Sequence, residues 1–290
     1  MALGDYARVL AEFWADGPKS ETPPGHWNVI ANEVSDSPEM ARRRKESGPA
    51  DRLEWDVKLY FALNGAVQDA AIGAWGAKRV YETARPISMI RYMGGRGQSS
   101  DRSAPSYDPE GLPLVPGLVE EVTPESSGPG QRHAGLADHI GEIAVRAWQG
   151  PPSDPAARAG VGWILASRWM PYQQPTFVTP AFPGYVSGHS TFSRAAAEVM
   201  TSFTGSPRFP GGLFESRRPR GSLDVEQGPS RDVVLQAATY YDAADQAGVS
   251  RIYGGIHISQ DDFAGRRIGS ECGKQALALA RRYFDGSARP

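Results

Sequence analysis

A single cysteine, Cys272, in 290 residues leaves no partner for an internal disulfide and no thiolate set for a zinc site. Within SECGKQALALA it reads as a small helix residue packed against its neighbours. Neither charge is in excess. With 31 basic against 33 acidic residues and a net charge of -2, there is no global electrostatic case for nucleic acid or an anionic membrane as partner. No apolar run approaches the roughly 20 residues that cross a bilayer. The opening MALGDYARVLAEFWADG is acidic early, where an export signal would have a basic start and a greasy core. Cytoplasmic residence is the default expectation, and secretion if the chain is a fragment. A glycine-rich phosphate loop, a zinc pair, a calcium loop and a magnesium-type acidic cluster are likewise missing. No self-similar period of about 20 to 50 residues marks a solenoid.

What is present is helical spacing, interrupted by 24 prolines and 33 glycines. Helices are expected over 3–16, ended by Gly17-Pro18, through HWNVIANEVS, and over 53–77, 133–149, 155–169, 231–249 and 261–284. The polar segment 42–51, broken by Gly48-Pro49, reads as a solvated connection. Two stretches, 97–132 and 205–229, lack any period, and a loop as long as the first is either disordered or shapes a site. The expected fold is an all-α helical bundle with long Gly/Pro-rich loops, forming one domain over 1–290.

The segment FPGYVSGHSTFSRAAAEVM, from Phe182 to Met200, runs without a spacer into a helix. Ser187 is a natural cap there, and a helix N-terminus also offers unpaired N–H groups and partial positive charge to an anion. Two other polar interruptions carry matching chemistry. KRVYETARP supplies Lys78 and Arg85, and SRIYGGIHISQD supplies Arg251, His257 and Asp261. Collected together, these residues suit a tetrahedral oxyanion. Arginine gives forked donors, lysine a point charge, and Gly188 close backbone approach, while one imidazole bonds the central atom and the other moves protons.

Lys78, six residues, Arg85-Pro86; then Ser187-Gly188-His189; then Ser250-Arg251, five residues, His257, three residues, Asp261: this order resembles the three-part signature of the vanadium-dependent haloperoxidases. The type 2 phosphatidic acid phosphatases share it. Val186 departs from the proline usual before Ser-Gly-His, which removes no donor. The segment FWADGPKSETPPGHWN, Phe13 to Asn28, is similar to one in fungal and bacterial haloperoxidases. An additional front helical bundle of many members is not apparent, so the resemblance implies a shortened member, a fragment or a separate subunit.

The resemblance implies vanadate as cofactor, with phosphate able to occupy the same site, and His257 as its ligand. Lys78, Arg85, Ser187, Gly188 and Arg251 would bind its oxygens, His189 would act as acid–base, and Asp261 would orient His257. Trp75 and Phe182 match aromatic positions near the halide in chloride-oxidising members. The implied reaction is oxidation of halide by hydrogen peroxide to a hypohalous-acid-level species that halogenates an organic acceptor. An acid phosphatase with a phosphohistidine at His257, or a non-catalytic helical half of a larger assembly, remain as alternatives, and an oligomer or second chain is compatible with either. Taken singly, Trp75 reads equally as a core aromatic, Phe182 as packing under its loop, Lys78 and Arg85 as an exposed helix face, and His257 as a polar turn residue. His26, His133 and His139 are expected to be structural.

Overall fold

The computed structural model describes residues 3–17, 20–46, 51–154, 156–177 and 179–289. In chain order the α-helices are α1 (Leu3–Phe13), α2 (Pro23–Asp36), α3 (Pro38–Glu46), α4 (Arg52–Tyr81), α5 (Pro86–Arg96), α6 (Pro124–Ser127), α7 (Gly188–Thr204), α8 (Tyr240–Tyr253) and α9 (Ser259–Phe284). The strands are β1 (Val119–Glu121), β2 (Ile143–Trp148), β3 (Val161–Leu165), β4 (Phe214–Arg218) and β5 (Val233–Ala237). They divide between two compact units. The first holds α1–α4, α7–α9 and the β4–β5 pair, and the second holds α5, α6 and the β1–β3 sheet.

In the first unit α7 is the centre. Its apolar residues Phe192, Ala195, Val199 and Met200 join Leu59, Leu63 and Val67 of α4 and Leu277 of α9 in one core. Close approach of α7 and α9 depends on Gly265, Gly269 and Gly273, spaced one turn apart. A Cβ added at Gly269 would lie 2.2 Å from the carbonyl oxygen of Thr191, and at Gly265 2.7 Å from that of Ser187. Only hydrogen fits there. A buried polar tie runs beside this crossing: the Ser190 hydroxyl donates to Asp262 Oδ1 at 2.7 Å, and Arg266 donates to both Asp262 oxygens at 2.9 and 2.7 Å.

Capping sets the helix starts. Asp51 accepts from the Leu53 N–H at the head of α4, and Thr239 and Asp242 cap α8 reciprocally. Helices α2, α4 and α9 lie where the apolar period puts them, and α1 ends at Phe13, three residues short of expectation.

The all-α expectation is corrected by two antiparallel sheets. Residues 133–149 form a 3₁₀ turn at Ala134–His139 and then β2, where Ile143, Ala144 and Val145 are all buried. A central strand covered on both faces shows an unbroken apolar run, which periodicity cannot separate from a buried helix. Residues 155–169 contain β3, paired to β2 from Val161↔Trp148 to Leu165↔Ala144, and a 3₁₀ turn. Residues 231–249 start as β5, whose Val233, Leu235 and Ala237 point inward in strict alternation, before Thr239 caps α8.

The basic segment after Arg42 continues α3 to Glu46, held by Arg42 and Arg43 pairing with Glu39 one turn earlier. Pro18, Gly48-Pro49 and Pro155 lie outside the described residues. In the second unit, 97–132 is ordered and not a bare loop. Buried Gln98 accepts from the N–H groups of Ser100 and Asp101, while β1 and α6 add regular structure. Strand β4 likewise falls within 205–229. Among the described residues no helix is long and apolar enough to cross a membrane.

Candidate functional site

The site grows from the head of α7. Ser187 takes extended backbone angles and its hydroxyl accepts from the Ser190 N–H at 3.4 Å, so it is the N-cap. Gly188 is the first helical residue. A Cβ there would come within 3.2 Å of the Trp75 ring, so glycine lets α7 begin against the α4 indole. The Ser187 N–H donates to the Asp261 carbonyl at 3.0 Å, which joins the head of α7 to the head of α9.

His257 precedes α9, and its Nδ1 lies 2.8 Å from Asp261 Oδ2, both side chains buried. The carboxylate makes Nδ1 the donor and Nε2 the lone-pair nitrogen. The pair meets across a helix cap and not along a helix face, because Asp261 is in the first turn while His257 lies outside it. Asp262, by contrast, faces Ser190 and Arg266.

His189 is buried in the first turn of α7 with Nε2 2.7 Å from the carbonyl oxygen of Trp14. A carbonyl can only accept, so Nε2 carries hydrogen and Nδ1 is the acceptor of the neutral ring. Burial, then the charge of Arg251, then His257 and His26, hold His189 well below its ordinary value of 6.5. The same repulsions place His189, Arg251 and His257 in one electrostatic neighbourhood. Arg251 is buried on α8, with Nε donating to the Ser250 hydroxyl at 2.9 Å and its terminal nitrogen to the Ala11 carbonyl. Burial pulls its pKa down to about 10, partly offset by Asp16.

Lys78 is buried near the end of α4, its ammonium donating to the carbonyls of Pro183 and Gly184 at 2.8 and 2.9 Å. It also lies 5.7 Å from the Trp75 ring centroid and 5.2 Å from that of Phe182. The two rings are 5.3 Å apart and 43% and 39% exposed, so they form a solvent-facing aromatic edge and not core. Val186 is fully buried. Arg85 belongs to the second unit, where it is buried at the N-cap position of α5.

Two participants were not expected from sequence. Asp16 Oδ2 lies 3.9 Å from His189 Nε2, and burial raises its pKa against the opposing pull of Arg251. The Trp14 carbonyl orients the imidazole. Both fall in FWADG, a segment visible as a resemblance but silent about roles. His133 and His139 are outside this group, His133 Nδ1 meeting the Ser126 hydroxyl and His139 meeting Glu142, while His26 packs on the Phe13 and Trp14 rings at its edge, near enough to act on His189.

This donor set suits a tetrahedral oxyanion such as vanadate. Arg251 is a buried cation bonded to two neutral oxygens, and a buried charge favours an opposite charge beside it. A helix N-terminus, a hydroxyl and a lone-pair imidazole complete the chemistry. Among the described residues no three His, Cys, Asp or Glu side chains cluster as a conventional metal site.

An anion bound at this position would reverse the balance on His189. Without it, the unfolded chain binds more protons than the folded one below pH 6.5, so His189 costs stability as pH falls. A bound anion attracts the imidazolium and raises the folded pKa, so anion affinity should strengthen on acidification. Titration of the His189 ring by NMR is expected to show its midpoint move upward when vanadate or phosphate is added. A midpoint unmoved by either anion would place His189 outside the anion's field.

A helical bundle that buries His189, Arg251 and His257 near the head of α7 sets the class of protein to compare. The model of the VCPO second helical-bundle domain matches residues 58–286, and the chain belongs to that family, within the vanadium haloperoxidase superfamily. The chain is similar to the holo form of a bacterial vanadium-dependent chloroperoxidase at a TM-score of 0.66 and 19% identity, covering 98% of this chain and 46% of that one. The apo form of a bacterial vanadium-dependent chloroperoxidase gives 0.67 and 20%, covering 99% and 47%. A bacterial vanadium-dependent iodoperoxidase gives 0.50 and 21%, covering 96% and 44%. At these identities the likeness is one of fold, and the chain spans just under half the length of those proteins. No curated protein sequence matches it.

Proposed function

We propose that this chain binds vanadate and oxidises halide with hydrogen peroxide, giving a hypohalous-acid-level species that halogenates an organic acceptor. The observation that carries this reading is the Lys78 ammonium set against the Trp75 and Phe182 rings. A cation beside an apolar wall attracts a monovalent anion while stripping part of its water, which suits a halide better than a hydrated phosphate ester.

His257 Nε2 would hold the vanadium, with its lone pair aimed by Asp261 through Nδ1. Lys78, Arg251, the Ser187 hydroxyl and the Gly188 N–H would bind the oxygens. Arg85 keeps its proposed anion role from the Lys78-Arg85-Pro86 motif alone. When bound, vanadate supplies Lewis-acid activation of peroxide toward halide without changing its own oxidation state. His189, neutral and with Nδ1 as acceptor, is suited to take a proton from incoming peroxide. A phosphatase would need the same ring protonated to assist a leaving group, and its burial beside Arg251 opposes that.

The test is a paired assay on purified protein loaded with vanadate. Peroxide with bromide or chloride is expected to halogenate a standard acceptor, with any phosphate-ester hydrolysis slower and inhibited by vanadate. Ester turnover without halogenation would assign the phosphatase chemistry. Flat results in both, with no vanadate-induced rise in melting temperature, would leave a non-catalytic helical half.

A further inference from the structure

The outward side of helix α4 sets large apolar residues among polar ones such as Asn64, Gln68 and Asp69. Leu59, Leu63, Val67 and Ala70 fill its buried side, while Val57, Phe61 and Ile72 are 59%, 52% and 65% exposed on the other. Large apolar side chains gathered on an exposed helix face mark a contact surface. Two glycines, Gly65 and Gly76, also lie on the outer side, and a Cβ added to either would meet nothing within 4 Å. Glycine weakens a helix interior, and among the described residues nothing uses the room these two leave.

We propose that this face is the interface of a homodimer in which α4 packs antiparallel against α4 of a second copy. The pattern along it is self-complementary. Glu54 and Arg79, Phe61 and Ile72, and Gly65 and Gln68 are each equidistant from the Ala66–Val67 peptide. At about 100° per residue these six positions fall within an arc of about 60°.

A two-fold axis at that midpoint sets Phe61 of one copy against Ile72 of the other. It also sets Gly65 against Gln68, and Glu54 against Arg79. The chain direction follows from charge, since parallel pairing in register would oppose Glu54 to Glu54 and Arg79 to Arg79. Within its own chain Glu54 pairs with Lys58, a surface contact that an added Arg79 can share. Phe61 is held edge-on by Tyr283 and Phe284, each 5.9 Å away between ring centres. It thus meets its partner as a preordered aromatic anchor. Gly65 gives the centre of the pair room for close approach.

Light scattering on the size-fractionated protein tests this, with circular dichroism confirming that each variant is folded. The wild type is expected to be a dimer and Ile72→Glu a monomer. Glu54→Arg and Arg79→Glu should each weaken the dimer by about 10- to 100-fold, because each turns two symmetry-related attractions into repulsions. The combination Glu54→Arg with Arg79→Glu should recover the wild-type affinity to within about 3-fold. A monomeric wild type, a dimer indifferent to Ile72→Glu, or a double reversal that fails to rescue would each overturn the proposal. A monomeric longer polypeptide whose melting temperature falls with Ile72→Glu would assign the face to an added segment and not to a second copy.

Discussion

His257→Ala is expected to abolish vanadate-dependent halide oxidation, by about 10³-fold or more, and with it the thermal stabilisation that vanadate gives the wild type. The side chain is buried and fixed by the Asp261 carboxylate at 2.8 Å, so truncation removes the lone-pair nitrogen and strands its orienting partner. Vanadate at about 100 times its Kd should stabilise the wild type by about 2.7 kcal/mol, a shift of roughly 4–5 °C for a chain of this size. The variant should show none. Asp261→Asn is the informative companion, because it keeps the shape but weakens the hold on Nδ1; its loss should be nearer 10- to 100-fold. Differential scanning fluorimetry with and without vanadate, beside the halogenation assay, checks both. Full vanadate stabilisation in His257→Ala would remove this residue from the anion site.

Gly269→Ala should cost about 3 kcal/mol or more, read as the fall in the urea midpoint at constant slope. The added methyl would meet the Thr191 carbonyl at 2.2 Å, and that oxygen is backbone of α7 and cannot swing aside. Helices α7 and α9 must then part, carrying with them the turn that holds Ser187, Gly188 and His189. Gly95→Ala provides the contrast. Gly95 is inside α5 with nothing within 4 Å of a new Cβ, so alanine there should gain about 0.5–1 kcal/mol. A Gly269→Ala protein as stable as the wild type would mean that the two helices separate cheaply.

The long helices were legible because α4 and α9 run long enough for a 3.6-residue period to stand out of the noise. The strands were not. In β2 the buried run Ile143-Ala144-Val145 has no alternation to read, and in β5 the inward Val233 and Leu235 blend into the helical spacing of α8 beyond them. The glycine series Gly265, Gly269 and Gly273 was a readable sign of a tight helix crossing that apolar spacing alone passes over.

In the site, the charged and imidazole side chains announced themselves by type and order. Their orienting partners did not, since the Trp14 carbonyl that fixes His189 is backbone, which no residue type reveals. The His257–Asp261 pair was visible as a separation of four, although the cap that brings it together is not the helix face that separation suggests.

Asp261 serves two masters. Its side chain holds the His257 ring, while its main-chain oxygen receives the Ser187 N–H. A single peptide therefore indexes the proposed vanadium ligand against the hydroxyl and the imidazole that begin α7, as a shared hinge pin aligns two leaves. The relative placing of His257, Ser187 and His189 is thus settled when the chain folds. The proposed anion would meet a finished mould, and little of its binding free energy would be consumed in shaping one.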